Sequence, residues 1–508
     1  MTHHIRQYHL HLALNGTEAD GLTLHRQLAG LCAEHLLPAL AQVLDRCAPP
    51  ERHLTLDRLD IEAGPLSLDR LEQDAPAAIA QAVEKALREQ TAQLRLAAPL
   101  GATDAHLKTG PQTVEESFFY FLNTGRLPWA FRLPEGQRLE SAVLSAWAAM
   151  AGPAAIPGRV RALLGRALAA ARVRQRLVWQ FSGAFRETVL AALWPESLRM
   201  LEAIRTRLRE AERGPAARDS DPAVGFEPLL WETVLAQVAG GGSATAAELV
   251  RETWLRLPPT ARPPKLAQLL EQHWPGSTRP ASPANAGTQA TATAAGKPVA
   301  KAVRKTVGKA AAAAATAATA NATAPGKPGP SQTEADEAAA ESSADGYYLD
   351  NAGLVLLHPF LPRFFEGLGL TENNQLLQPD RALSLLHFLA TGQPVAPEHE
   401  LTLPKLLCAV PLPQPVAADV GLTIAETDEA EALLRAVVQH WTALRSTAPD
   451  ALRGTFLARP GKLSRRPDGD WLLQVEPLSY DILLDQLPWG IAMIQLPWMP
   501  QLLRVEWS

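Results

Sequence analysis

The sequence predicts an α+β protein in four successive parts: a small β-α-β-α N-terminal domain over 1–100, a helical region over 110–274, a low-complexity linker over 275–346, and a mixed, Trp-rich C-terminal α+β domain over 347–508. Three observations predict it. Apolar residues alternate with period two near the start, then recur every three to four residues through a long middle stretch. Between Trp274 and Tyr347 there is no aromatic residue and no Leu, Ile or Met. Beyond Gly454 short β-patterned runs return, with Asp468-Gly469 as a hairpin signal.

In the first part, Tyr8, Leu10, Leu12 and Leu14 alternate with His9, His11 and Ala13, the pattern of a half-buried strand, and Asn15-Gly16 ends it. Over Leu22–Leu44, Leu24, Leu28, Leu31, His35 and Leu36 then mark one helix face. A second strand is expected over His53–Ala63, bulged at Asp57-Arg58 and stopped by Gly64-Pro65. Ile79, Val83 and Leu87 stripe the second helix.

Helices are expected near 114–124, 137–150, 159–181, 184–193, 197–212, 227–239, 244–256 and 263–273, divided by Pro and Gly. Arg159–Arg176 is basic on one side and Leu/Ala-rich on the other. That pattern suits either a solvated bundle face or a docking surface for an acidic partner. The following linker has too little apolar surface to offset its ordering entropy, so a disordered tether is expected. Its seven basic residues from Arg279 to Lys327 precede Glu334, Asp336, Glu337, Glu341 and Asp345. Val299, Val303 and Val307 recur every four residues and leave a transient helix open.

The last part begins helical and then reads as strands over 455–458, 462–465, 471–476, 491–496 and 502–507, with a short helix at 480–487. One echo crosses the linker: Phe121-Leu-Asn-Thr-Gly125 and Phe388-Leu-Ala-Thr-Gly392, each followed shortly by proline. Duplicated modules and a common helix stop met twice are both open readings. Trp471, Trp489, Trp498 and Trp507 crowd the end of the chain. Core packing is the default for them, and an exposed subset is a candidate partner-binding surface.

Catalytic signatures are missing. Gly-Lys pairs lack the glycine and Ser/Thr of a phosphate loop, and no Gly-x-Ser-x-Gly or Cys-x-x-Cys occurs. His399-Glu400 opens like a metalloprotease helix, but Leu403 stands where the second histidine belongs. His9 and His11 fall on one strand face, with His3, His4 and His53 as possible companions, and nothing fixes a third ligand. Hence no catalytic, cofactor-binding or metal residue is assigned and no cofactor is expected. His358 and His387 read as core histidines. Cys32, Cys47 and Cys408 make no disulfide framework, which suits a reducing cytoplasm. A net charge of -5 selects no partner, the linker lacks stacking aromatics for nucleic acid, and no segment is long and apolar enough for a membrane span.

Several runs resemble contractile injection system tape-measure proteins, components of phage-tail-like particles. They are His4-Ile-Arg-Gln-Tyr8, Leu14-Asn-Gly-Thr-Glu18, Leu59-Asp-Ile-Glu-Ala-Gly64, Phe121–Trp129, Asp350–Phe360, Gly454–Leu457, Gly461–Arg465, Leu487–Ile491 and Leu496–Pro500. The resemblance implies a structural, non-enzymatic role in setting tube and sheath length. It implies tube, baseplate or cap partners, and action in the cytoplasm during assembly with retention in the particle open. An uninterrupted helix of this chain would reach about 760 Å at ~1.5 Å per residue. Its 42 prolines argue instead for globular modules, leaving a linker with a stretched reach of about 230 Å at ~3.3 Å per residue. A ruler, an assembly chaperone or adaptor, and a metal-dependent hydrolase are the three functions weighed.

Overall fold

The computed structural model describes residues 3–17, 21–47, 52–97, 107–212, 225–278 and 346–507, with short gaps inside these spans. The chain is α+β, as its patterning predicts. The expected linker, with its valine periodicity, lies outside the described residues apart from its two ends.

At the start, a π-turn over Cys32–Leu36 runs into the helix Leu37–Cys47, which packs on the helix Leu71–Ala97 through Leu36, Val43, Ile79, Val83 and Leu87. The expected strands fare differently. Residues 8–14 join no ladder, and the second strand shrinks to β1, Arg52–Leu54, antiparallel to β2, Leu107–Thr109. Alternation gives a segment two faces, but a strand also needs a partner for its backbone groups.

The middle is helical: Gly110–Thr124, Leu139–Ala151, Gly158–Ala167, Ala171–Gln180, Gly183–Leu193, Pro195–Glu212, Phe226–Ala239, Ala246–Arg256 and Pro264–His273. Thr109 with Gln112, and Thr245 with Glu248, close capping boxes at two of the starts. The single helix expected over 159–181 is broken because Ala170 turns extended. Arg174 Nη1 donates to the freed carbonyls of Leu168 and Ala169 at 2.7 and 2.8 Å. Phe118 centres this core, edge-on to Trp147 and Phe181.

After the linker, β3 (Tyr347–Leu349), β6 (Gly461–Arg465), β7 (Trp471–Val475), β8 (Met493–Ile494) and β9 (Leu503–Glu506) form one sheet in the order β3-β6-β7-β9-β8. All neighbours are antiparallel except β7–β9. A separate hairpin joins β4 (Thr371–Glu372) to β5 (Gln375–Leu376). Gly469, at φ 91°, turns β6 into β7 as Asp468-Gly469 predicts. The helices Leu361–Gly367, Pro379–Thr391, Thr402–Leu407 and Ile424–His440 build the rest of the core. The expected strand at 455–458 is a π-turn, Arg453–Leu457. It passes so close to the 3-10 helix Ala352–Leu357 that a Cβ on Gly353 would sit 1.7 Å from the Phe456 carbonyl oxygen.

The echo across the linker is structural. Gly125 and Gly392 cap their helices at φ 78° and 72°, each donating to the Phe carbonyl four residues back at 2.7 Å. Thr124 and Thr391 donate to the carbonyls of Tyr120 and His387, both at 2.8 Å. Each hydroxyl also accepts from the amide two residues on, at 3.2 and 3.1 Å. A later arginine then reaches the Leu carbonyl of each motif: Arg176 to Leu122 at 3.1 Å, Arg453 to Leu389 at 3.2 Å. Agreement in every one of these bonds favours a duplicated corner over a chance helix stop.

Candidate functional site: a buried charge clasp

The two corners differ in what covers them. Arg453 pairs with Glu431 and Asp450 of its own neighbourhood, at 2.5 and 2.7 Å. Arg176, on the helix Ala171–Gln180, instead meets Glu398 from beyond the linker. Its Nε donates to Glu398 Oε2 at 3.0 Å and its Nη2 to Oε1 at 3.2 Å. Nη1 donates to the carbonyls of Leu122 and Asn123, and Nη2 also to that of Pro413. All five guanidinium N–H groups are therefore used. Lys405 Nζ donates to Glu398 Oε1 at 2.7 Å and to the carbonyls of Leu412 and Gln414 at 3.1 and 2.7 Å, using all three of its protons.

The side chains of Arg176 and Glu398 are wholly buried, and that of Lys405 nearly so. Burial pushes the Lys405 ammonium pKa down, and the Glu398 carboxylate partly opposes that shift. Two cations around one carboxylate would leave an uncompensated buried charge, so the ring of carbonyl dipoles carries the remainder. The clasp is an electrostatically complete joint between the middle helices and the C-terminal region.

Other bonds strap the same seam. Gln180 accepts from the Glu398 amide and donates to the Val416 carbonyl, both at 2.8 Å. The Ala418 amide donates to the Trp179 carbonyl at 3.1 Å. At the linker's exit, Arg126 stacks 4.3 Å over the Tyr347 ring and Arg132 meets Asp350 at 3.4 Å. His399 packs edge-on to Phe121 across the seam. Of the two readings of the Arg159–Arg176 basic face, neither describes Arg176, which docks inside the molecule. Arg159 is half exposed and pairs with Glu115 at 2.7 Å.

His387 lies buried and His399 partly buried beside Glu400, each 3.6 Å from one of its carboxylate oxygens. Burial lowers both imidazoles to about 4, with His387 also acting on His399. Between the ordinary value of about 6.5 and this depressed value, the unfolded chain binds protons that the folded chain refuses. Stability is thus full above that window and falls as pH drops into it. Urea unfolding followed between pH 6.5 and 5 is expected to show this decline. The variant His387→Gln/His399→Gln should flatten it.

The sequence-predicted residues lie elsewhere. Trp471 is buried in the C-terminal core. Trp489, Trp498 and Trp507 are half-buried and donate to the Leu356 carbonyl, the Leu407 carbonyl and Asp481 Oδ2, at 3.1, 2.7 and 3.1 Å. The His9 and His11 rings stand 6.4 Å apart, and among the described residues no three His, Cys, Asp or Glu side chains are grouped to hold a metal. No described helix is long and apolar enough to cross a membrane. Sequence reasoning missed Glu398 and Lys405. A usable signal was present in Lys405, the lone charge in the apolar run Leu401–Val410.

The buried ionic network joins the middle helices to the C-terminal α+β region. Residues 2–507 match the family model described as contractile injection system tape measure protein, and the chain belongs to that family. It is a structural, assembly component of a contractile injection system. No curated protein and no solved structure is similar enough to this chain to match it.

Proposed function

We propose that this tape-measure family member acts in assembly as a folded docking body, without covalent chemistry, and that the segment 279–345 is not the ruler. The observation carrying this reading is the clasp. With Arg176 locked to Glu398, the residues flanking the segment on both sides belong to one joined body, so a change in its length leaves those flanks together. Loop closure grows only slowly in cost with length, so insertions and deletions there are tolerated. In this reading the chain divides at 1–100, 110–274, 275–346 and 347–508, with the second and fourth parts working as a unit. Tube and sheath proteins are the partners, with docking at a baseplate or cap end during assembly in the cytoplasm. The half-buried rings of Trp489, Trp498 and Trp507, with Ile482 and Met493 at 69% and 66% exposure, supply the C-terminal docking face, and Trp471 supports it from the core. Electron microscopy of particles assembled with a chain lacking residues 280–340 tests this. Particles of unchanged length are expected, whereas a new, proportionally shorter uniform length would overturn the reading.

A further inference from the structure

We propose that the N-terminal part carries a self-association surface: residues 8–14 of one copy pair as a β-strand with residues 58–62 of a second copy, and the reverse. The apolar surface points there first. Of the sixteen large hydrophobic residues exposed in the described chain, nine fall at or before Leu68, among them Tyr8, Leu10, Leu12, Leu14 and Ile61. Leu10 and Leu12 also line an open apolar hollow against Leu28, Leu31, Leu71 and Ile79 of the helical layer. Both segments alternate apolar and polar residues in sequence, yet neither joins a ladder in the described residues. The result is a helical layer with two strand-patterned segments left without ladder partners, a state that sheet proteins otherwise cover or block.

The side chains fit a second copy. The outer side of 8–14 presents His9 and His11, and the outer side of 58–62 presents Asp60 and Glu62, all exposed. Among the described residues Asp60 pairs with the similarly exposed Arg58, at 2.8 Å. Within one copy no described hydrogen bond joins the two segments. A two-fold axis would set each imidazole side against a carboxylate side twice over, an isologous contact that closes both free edges. Backbone bonds would supply affinity, and the alternating leucines would fix register.

The test uses the full chain. Sedimentation at tens of micromolar is expected to give twice the monomer mass, and Leu12→Pro, which deletes a strand donor, should weaken the dimer about tenfold or more. All twelve tryptophans lie from Trp129 onward, so their unchanged fluorescence would show that the variant's body remains folded. Two differently tagged copies in a Cys32→Ser/Cys47→Ser background, one with His9→Cys or His11→Cys and the other with Asp60→Cys or Glu62→Cys, should form a disulfide between tags. A monomeric wild type, a dimer indifferent to Leu12→Pro, or a disulfide that forms only when both cysteines share one chain would each overturn the proposal.

Discussion

Replacing Arg176 by methionine is expected to cost about 3–5 kcal/mol of stability, the loss seen when one partner of a buried ion pair is removed. The reason is the charge left behind. Glu398 would remain fully buried with only Lys405 against it, and the Leu122, Asn123 and Pro413 carbonyls would lose their donor. Glu398→Leu should be comparably severe, since it strands two cations. Guanidinium unfolding followed by tryptophan fluorescence is the measurement, and the shape of the transition matters as much as its midpoint. The middle and C-terminal regions have separate hydrophobic cores, so weakening the seam should split one transition into two. The triple variant Arg176→Met/Glu398→Leu/Lys405→Met leaves no charge unpaired and is expected to recover much of the loss. A single-site cost below about 1 kcal/mol, the range of exposed pairs, would show that the clasp is open to water.

How much of this was legible beforehand follows from what each signal encodes. Helical periodicity reports burial of one face, and it placed the middle helices to within a few residues. It could not see the break at Leu168–Ala170, because that stop is made by the Arg174 side chain capping carbonyls and by no proline or glycine. Alternation at Tyr8–Leu14 predicted a half-buried strand, yet the whole segment stays exposed, because pairing is a property of a second strand that the pattern does not contain. The segment 455–458 read as a strand from composition, while close approach to Gly353 and the bonds of Arg453 hold it as a π-turn. The clasp was the least legible feature. Arg176 and Glu398 are 222 positions apart, and each alone resembles an ordinary surface charge. The repeated Phe-Leu-x-Thr-Gly motif was the visible half of it, since the same corner that ends a helix also presents its carbonyls to an arginine.

That repetition gives the second large effect, a contrast between two glycines with the same local job. Ala at either Gly125 or Gly392 must adopt φ near +75°, which costs about 1–2 kcal/mol for an L-residue. At Gly392 the added methyl meets nothing nearer than the Arg453 guanidinium at 3.8 Å, an ordinary contact, so Gly392→Ala should cost that backbone amount and little else. At Gly125 the methyl would lie 2.2 Å from Glu398 Oε1 and 3.0 Å from Arg176 Nε. The carboxylate cannot swing aside, because Arg176 and Lys405 hold both of its oxygens. Gly125→Ala should therefore add to the backbone cost most of the 3–5 kcal/mol at stake in the clasp, and should split the unfolding transition as Arg176→Met does. Equal destabilisation by the two variants would mean that the seam relaxes around a methyl group, and that its tightness does not hold the two regions together. A wide gap would establish that a corner built twice was adapted once, by bringing Glu398 onto it, into the joint that makes one body from two.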